Sequence, residues 1–404
     1  MSTDAIAATP EEVPEGFFGR VRDNIRGGNL GSWPVLIGLT VIVIFFSFKA
    51  DNFLSPGNFS NIITQMAGTT LLAYGVVFVL LIGEIDLSIS YISGIAGVVV
   101  GKLTIPDGNE VAGIVAILLA IAVCALIGAF QGSFVAFIGV PAFVVTLAGY
   151  QIWQGVIQKS IEGEGVIVIQ DSTVNNTANY FFSEKAGWIL AAIVLGIYIA
   201  SVVGTFVSHR RLGVPVRDPW LLVAKVIVVA AATVFVVVVS NRDRGVPFVL
   251  LLMIAALLVL TFIAKRTMFG RHVYAVGGNA EAARRSGINV ARVRLIVFMI
   301  SGAMAGLGGV VLAARLNSVD LAAGGGTLLI DAIAAAVIGG TSLFGGRGEV
   351  KDALFGALVI ATIANGLNTL NLTQGVIFIT TGCILLFAVT LDTLLRRRQR
   401  KAGR

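Results

Sequence analysis

Residues 111–131 read VAGIVAILLAIAVCALIGAFQ and contain no charged side chain. A helix of about 20 apolar residues is long enough to cross the hydrocarbon core of a bilayer, which is roughly 30 Å thick. The chain of 404 residues is 56% hydrophobic and 13% charged, whereas soluble domains are roughly 45–50% apolar and about 25% charged. The stretch and the composition together predict an all-α polytopic membrane protein.

Apolar runs of similar length recur between short charged segments along the whole chain. They predict about 12 transmembrane helices in one membrane domain at residues 32–394, between a polar N-terminal tail at 1–31 and a basic tail at 395–404. The predicted spans are 32–48, 62–82, 88–103, 111–131, 141–158, 187–207, 220–240, 246–264, 295–316, 328–344, 352–371 and 374–394.

Basic residues concentrate in alternate connecting segments. If the N-terminus is cytoplasmic, that side receives the arginines of the N-terminal tail, of segment 210–217, of the loop 265–294 and of the C-terminal tail. The opposite side receives few basic residues: Lys49, Lys102, Lys159, Lys185, Arg242, Arg244 and Arg315. Because cytoplasmic loops carry an excess of Lys and Arg, this asymmetry predicts two cytoplasmic termini and an even number of spans.

Several classes of function find no support in the sequence. The formal charge of +7 is not gathered on one soluble face, so we expect no nucleic-acid partner. The phosphate-binding pattern G-x-x-x-x-G-K-[ST] does not occur. His209 and His272 lie in different loops, and Cys124 and Cys383 lie inside apolar runs. We therefore expect no catalytic residue, no metal site and no cofactor on this chain.

Three features leave alternatives open. In GEIDLSIS, 83–90, Asp86 and Ser88 resemble a cap for the next helix, although a carboxylate near the membrane can also have a transport role. Gly97-VVV-Gly101 and Gly302-AMA-Gly306 have a spacing that favours helix packing, either inside one subunit or between two copies. The polar segment 161–187 is either a partner-facing cap or a solvated loop.

The stretch GGNAEAARRSGI, 277–288, interrupts the apolar chain with a charged helix signal. Asn279 can accept from the first backbone N–H groups, Glu281 suits the positive first turn, Arg284 and Arg285 suit the last turn, and Gly287 can end the helix in left-handed geometry. These signals predict one short helix of about two turns. The same stretch is also compatible with an amphipathic hairpin on anionic lipid.

Four motifs carry a resemblance to a known family. They are GEIDLSIS at 83–90, VPAFVVTLAG at 140–149, FGRHVYAVGGNAEAARRSGINVARV at 269–293 and DAIAAAVIGGTSLFGGRGEV at 331–350. In this order they resemble the permease subunits of bacterial ABC importers for monosaccharides, in the ribose, xylose and arabinose group. Such permeases commonly have about ten spans, so the resemblance places an additional helix pair at about 187–240, as in the longer xylose-type members. Glu84 departs from the family, which usually has Gly there.

The resemblance implies a type II ABC importer-like fold in the bacterial inner membrane. It further implies a homodimer around a central pathway, a cytoplasmic ATP-binding subunit that holds ATP and Mg, and a periplasmic sugar-binding protein. The loop 265–294 would then carry the coupling helix that contacts the ATPase, with the contact formed by Gly278, Asn279, Glu281, Arg284, Arg285 and Gly287.

A neutral sugar needs uncharged donors and acceptors along its pathway. One predicted stripe is glutamine-rich: Gln151, Gln154 and Gln158 fall on one helix face, with Tyr150 and Trp153 alongside. The second consists of Asn365, Asn368 and Asn371, at a spacing of three on another helix. Each stripe either lines the pathway or forms interhelical hydrogen bonds. Two rival functions stay open: a permease of the same superfamily for a branched-chain amino acid, nucleoside or autoinducer, and a self-contained secondary transporter.

Overall fold

A computed structural model describes residues 33–106, 111–211 and 219–373, together with residues 375–380, 382, 383, 386 and 390. This part of the chain is mostly α-helical, and most of the predicted span 374–394 and both predicted tails lie outside it. The helices are α1 Trp33–Lys49, α2 Pro56–Leu81, α3 Ile89–Leu103, α4 Gly113–Ser133, α5 Ala142–Ser160, α6 Ser172–Asn179, α7 Glu184–Arg211, α8 Pro219–Asn241, α9 Phe248–Arg266, α10 Met268–Gly278, α11 Ala280–Arg285, α12 Val290–Leu316, α13 Leu328–Gly339 and α14 Val350–Thr369.

Within the described residues, four short strands form two antiparallel pairs near one end of the helices. The strands are β1 Val166–Val168, β2 Phe181–Phe182, β3 Val246–Pro247 and β4 Ser318–Asp320. β1 pairs with β4 so that Val166 faces Asp320, and β2 pairs with β3 so that Phe181 faces Pro247. These pairs bring segments that are far apart in sequence to the same side of the molecule.

The number of predicted spans is not confirmed. Seven helices of the described residues are long and apolar enough to cross a membrane, and three more apolar helices are shorter. The seven are Pro56–Leu81, Gly113–Ile138, Glu184–Ser208, Leu222–Asn241, Phe248–Arg266, Val290–Leu316 and Val350–Thr369. The predicted positions of apolar helices therefore hold better than the predicted count of about 12.

Several predicted boundaries are wrong, and local backbone chemistry explains the differences. α2 begins at Pro56 rather than at 62, because the Ser55 side chain accepts from Asn58 N and Pro56 suits the first helical position. α13 ends at Gly339 rather than at 344, because Gly340 adopts a φ of 121°. The predicted polar loop 161–187 contains β1, α6 and β2.

The core forms where α12 crosses α2, α3 and α4. Glycine makes the closest of these crossings possible: an added Cβ at Gly302 would lie 2.2 Å from the Cys124 carbonyl oxygen, and one at Gly306 would lie 2.9 Å from the Ile121 Cα. Gly97 and Gly101 likewise face Val319 of the same chain. Both Gly-xxx-Gly motifs thus pack inside one chain, as the first of the two alternatives predicts.

The connecting segments gather at two opposite ends of the helices. We call the end formed by 82–88, 265–294 and 339–350 the basic face, and the end formed by 161–187, 241–247 and 316–327 the strand face. α12 joins the two, and its 27 residues span about 40 Å. On the strand face, the Asn179 side chain donates to the Ala314 carbonyl at the end of α12, so α6 is an ordered part of the fold rather than a solvated loop.

Candidate functional site

The charged stretch 277–288 forms the predicted short helix, α11, on the basic face. Asn279 caps it, since its Oδ1 accepts from Ala282 N at 2.9 Å, and Gly287 follows with a φ of 84°. Glu281 lies 3.4 Å from Arg284 and 3.2 Å from Arg285. These three charged side chains are exposed, and Ala283 alone of this helix is buried. α11 therefore presents a preformed charged surface.

The helix before it, α10, was not predicted from the sequence. The Thr267 hydroxyl accepts from Gly270 N and begins the helix, and the Tyr274 hydroxyl donates to the Gly348 carbonyl at 2.8 Å. Val273 and Val276 are buried. The capping threonine and the apolar spacing of this segment were the signals that could have revealed it. α10 attaches α11 to the loop 340–349.

An ionic cluster fixes the same loop to α9. Lys265 and Lys351 each place their Nζ 2.7 Å from Glu349 Oε2. Burial alone would raise the pKa of Glu349, but the two ammonium groups outweigh it and hold that pKa below its ordinary value. Glu349 also begins α14 through a reciprocal capping box with Asp352. The cluster therefore joins α9, the loop and α14.

Asp86 lies fully enclosed between helices, with 3% of its surface exposed. Its Oδ1 accepts from Ser88 N at 3.0 Å and from the Ser88 hydroxyl at 2.6 Å, and its Oδ2 accepts from the Ser301 hydroxyl at 3.0 Å. The predicted cap is not formed as such: Ser88 is the N-cap residue of α3 but makes no side-chain capping bond, and Asp86 instead accepts from Ser88 in a turn directly before the helix. Ser301 was missed, because the sequence holds no signal that joins positions so far apart.

Gln131 extends this network to α4. The Ser88 Oγ lies 2.7 Å from Gln131 Oε1, yet a single hydroxyl proton cannot serve two acceptors. Since the carboxylate is the stronger acceptor, we assign the Gln131 amide with its NH2 group donating to Ser88. This orientation also gives a partner to the Gln131 nitrogen, which is otherwise buried without one among the described residues.

Glu84, on the same turn, faces the first turns of α12. Its Oε1 lies 3.0 Å from Arg294 Nη2, and both side chains are largely buried, with 20% and 27% exposed. Burial raises the pKa of Glu84, and the Arg294 guanidinium offsets part of that rise. The turn 82–88 is thus tied to α12 at two points, Arg294 and Ser301, which are two helical turns apart.

The two predicted polar stripes do not come together in one cavity. Asn368 lines a cavity of about 240 Å³ between α2, α12, α13 and α14, with Arg315 and Asp331 also on its wall. Asn365 is buried beside it, with its Oδ1 unpartnered among the described residues.

The glutamine stripe lies on α5, away from that cavity. Gln151 is exposed, and Gln154 and Trp153 are half-buried. The Trp153 Nε1 is buried and has no partner within the described chain. The α5 stripe leads toward a groove of about 770 Å³ at the strand face, which Gln158 helps to line. Each stripe therefore borders open space of its own.

Apolar membrane-length helices, internal polar groups and a charged surface helix at one end define the class of this chain as a polytopic membrane protein. It matches the family described as branched-chain amino acid transport system / permease component over residues 58–390. The chain belongs to this permease family.

Individual relatives align along nearly their whole length. The xylose transport system permease protein XylH of Haemophilus influenzae is 37% identical over 374 residues, covering 91% of this chain and 98% of that protein. The ribose import permease protein RbsC of Escherichia coli is 32% identical, covering 88% and 92%. The D-allose transport system permease protein AlsC of Escherichia coli is 31% identical, covering 88% and 90%. No solved structure matches the chain significantly.

Proposed function

We propose that this chain is the permease subunit of an ABC importer that moves a monosaccharide, xylose or a similar pentose, inward across the bacterial inner membrane. The carrying observation is the 37% identity to a xylose permease over 98% of that protein's length. Ribose and allose permeases follow among the relatives, which favours a monosaccharide over other solutes.

In this proposal the chain works as a homodimer with partner proteins on both sides of the membrane. A cytoplasmic ATP-binding subunit, with its ATP and Mg, docks on the basic face, and a periplasmic sugar-binding protein docks on the strand face. Both termini of the permease are cytoplasmic, in agreement with the charge asymmetry of the loops. The sequence contains no G-x-x-x-x-G-K-[ST] pattern, so in this proposal the free energy for transport enters through a protein contact.

The exposed surface of α11 is the proposed contact with the ATPase. Glu281, Arg284 and Arg285 supply its charges, and Gly278, Asn279 and Gly287 bound it at either end. The capped geometry supports this role, because a helix that already exists in the free subunit loses little conformational entropy on docking.

The proposed pathway uses both polar stripes. Trp153 offers an indole N–H and Asn365 a carboxamide oxygen, both buried without a partner in the described part of the chain. Gln151, Gln154 and Asn368 add further uncharged donors and acceptors. Such groups can exchange hydrogen bonds with sugar hydroxyls while binding weakly enough for release.

A branched-chain amino acid is the second candidate solute, because the description of the matched family names it. Nucleosides and autoinducers belong to the same class of alternatives.

Reconstitution of the permease in proteoliposomes distinguishes these candidate solutes. The vesicles would also contain the ATP-binding and sugar-binding proteins of neighbouring reading frames. We expect ATP-dependent uptake of labelled xylose that unlabelled pentose inhibits and leucine does not. Uptake that persists without the ATPase would instead indicate a secondary transporter.

The proposed docking surface has its own experiment. Arg284→Glu with Arg285→Glu should leave membrane insertion intact and abolish co-purification of the ATP-binding subunit. Arg210→Glu with Arg211→Glu is a matched control, since it makes the same charge change at the end of α7, away from α11. Equal co-purification of both double variants would show that α11 is only a surface helix.

A further inference from the structure

Three chain segments meet backbone to backbone directly before α11. The Gly346 N–H donates to the Leu81 carbonyl at 2.9 Å. A Cβ added at Gly277 would lie 1.7 Å from the same carbonyl oxygen and 2.6 Å from Gly346 N. A Cβ at Gly345 would lie 2.7 Å from the Gly277 oxygen and 3.0 Å from Gly83 N. We call this contact of 81–83, 277–278 and 344–346 the glycine junction.

Side chains could not be inserted at the junction without separating the segments. Gly277 has no positive φ, so its need for glycine comes from the close approach rather than from backbone conformation. Gly83 and Gly345 add left-handed φ values of 78° and 82°. The end of α10 therefore touches the end of α2 with no intervening side chain, and a shift of one backbone displaces the other.

The turn 82–88 follows directly after the glycine junction and contacts both α12 and α5. Glu84 pairs with Arg294 and Asp86 with Ser301, so the turn is held along α12. On its other side the turn contacts α5. The Thr146 hydroxyl, which donates to the Ala142 carbonyl of its own helix at 2.9 Å, lies 3.3 Å from the Ile85 carbonyl oxygen, and a Cβ at Gly149 would lie 3.3 Å from Ser88 Cβ. Thr146 and Gly149 belong to α5, directly before Gln151.

We propose that the glycine junction and the turn 82–88 connect the coupling helix α11 to α5, so that movement imposed by the ATPase on α11 reaches the glutamine stripe. This inference rests on the proposed function and adds positioning residues to it: Gly277, Glu84 and Arg294. It also gives a role to Glu84, at which the sequence departs from the family pattern. The connection is short and rigid, and each step is a direct contact.

The test compares docking with coupling in the reconstituted complex. Gly277→Ala should insert and co-purify with the ATPase like the wild type, because α11 keeps its surface. The amount of xylose transported per ATP hydrolysed should fall by between about 2-fold and 30-fold, the range of mutational effects on coupling between sites. Gly196→Ala adds the same methyl group in α7, where no described atom would lie within 4 Å of the added Cβ. This control variant should leave both co-purification and the transport ratio unchanged.

Two outcomes would overturn the inference: an unchanged transport ratio in Gly277→Ala, or a loss of co-purification as complete as that of the double Arg variant. If wild-type permease shows no ATP-dependent uptake, the proposed function itself is wrong, which is a different result.

Exchanging the charges of Glu84 and Arg294 tests the link between the turn 82–88 and α12. This test remains possible if the Gly277→Ala variant does not insert into the membrane. Glu84→Arg and Arg294→Glu should each lower the xylose transported per ATP, and the two together should restore it, because the exchanged pair can re-form. A double variant no better than either single variant would also overturn the inference.

Discussion

Ser301 donates a 3.0 Å hydrogen bond to the Asp86 carboxylate, although the two residues lie 215 positions apart in sequence. The bond joins the middle of α12 to the turn between α2 and α3. Because Asp86 is enclosed by protein, each donor that reaches it replaces water that the site excludes. The network therefore stabilises the fold and fixes the turn.

Removing either partner should destabilise the protein, and the two losses should not add. A buried acceptor that loses its donor costs about 1–3 kcal/mol, so Ser301→Ala should lower the free energy of unfolding by about that amount. In an Asp86→Ala background the same change should cost much less, since the shared bond is already lost. Equilibrium unfolding in mixed detergent micelles measures the loss of free energy in both backgrounds. Ser47→Ala, whose hydroxyl bonds within its own exposed helix, is the control, and fully additive losses would contradict the network.

The crossing of α4 and α12 should tolerate no side chain at Gly302. The added Cβ of Gly302→Ala would overlap the Cys124 carbonyl, and overpacking of this kind typically costs about 1–3 kcal/mol. We expect a lower thermal midpoint and a lower folded yield. Gly204→Ala in α7 meets open space among the described residues and should behave like the wild type. Equal midpoints for the two variants would mean that the crossing relaxes freely.

The Lys265–Glu349–Lys351 cluster should make a small contribution to the free energy of unfolding, and this contribution should be lost at acid pH. The folded pKa of Glu349 is depressed below its ordinary value of 4.5, so its contribution is fully present above that value and disappears as pH falls through the lower folded pKa. Since the side chain is partly exposed, we expect at most about 1 kcal/mol. The thermal midpoint of Glu349→Gln should lie below the wild-type value at pH 7 and approach it near pH 3. A difference that does not change with pH would exclude this ionic origin.

Substitutions in the two polar stripes should weaken the affinity for the solute more than they weaken docking of the ATPase. One lost hydrogen bond of about 0.5–1.5 kcal/mol corresponds to a rise in KM of about 2-fold to 10-fold, which we expect for Gln151→Ala and for Asn368→Ala in xylose uptake. Thr205→Ala removes an exposed polar group from α7 and serves as the control. A rise for only one of the two variants would assign the pathway to that stripe and leave the other as interhelical packing.

The sequence by itself determined the class of the protein and the positions of most apolar helices. It also predicted α11, because burial in lipid and helix capping depend on a few neighbouring residues, whereas the predicted side-chain cap at the start of α3 is not formed. It could not predict that segment 161–187 is ordered, since that order depends on contacts with remote segments. α10 was missed although its capping threonine and its apolar spacing are local signals.

Only the tertiary structure brought Asp86 to Ser301, Glu84 to Arg294 and Gly277 to Leu81. The physical reason is that a small residue inside a hydrophobic helix has the same local appearance whether it faces lipid, its own chain or another copy. Its role is decided by the atoms that approach it. Gly302 and Gly277 are both glycines in helices, yet one permits a helix crossing in the core and the other permits the backbone contact beside α11.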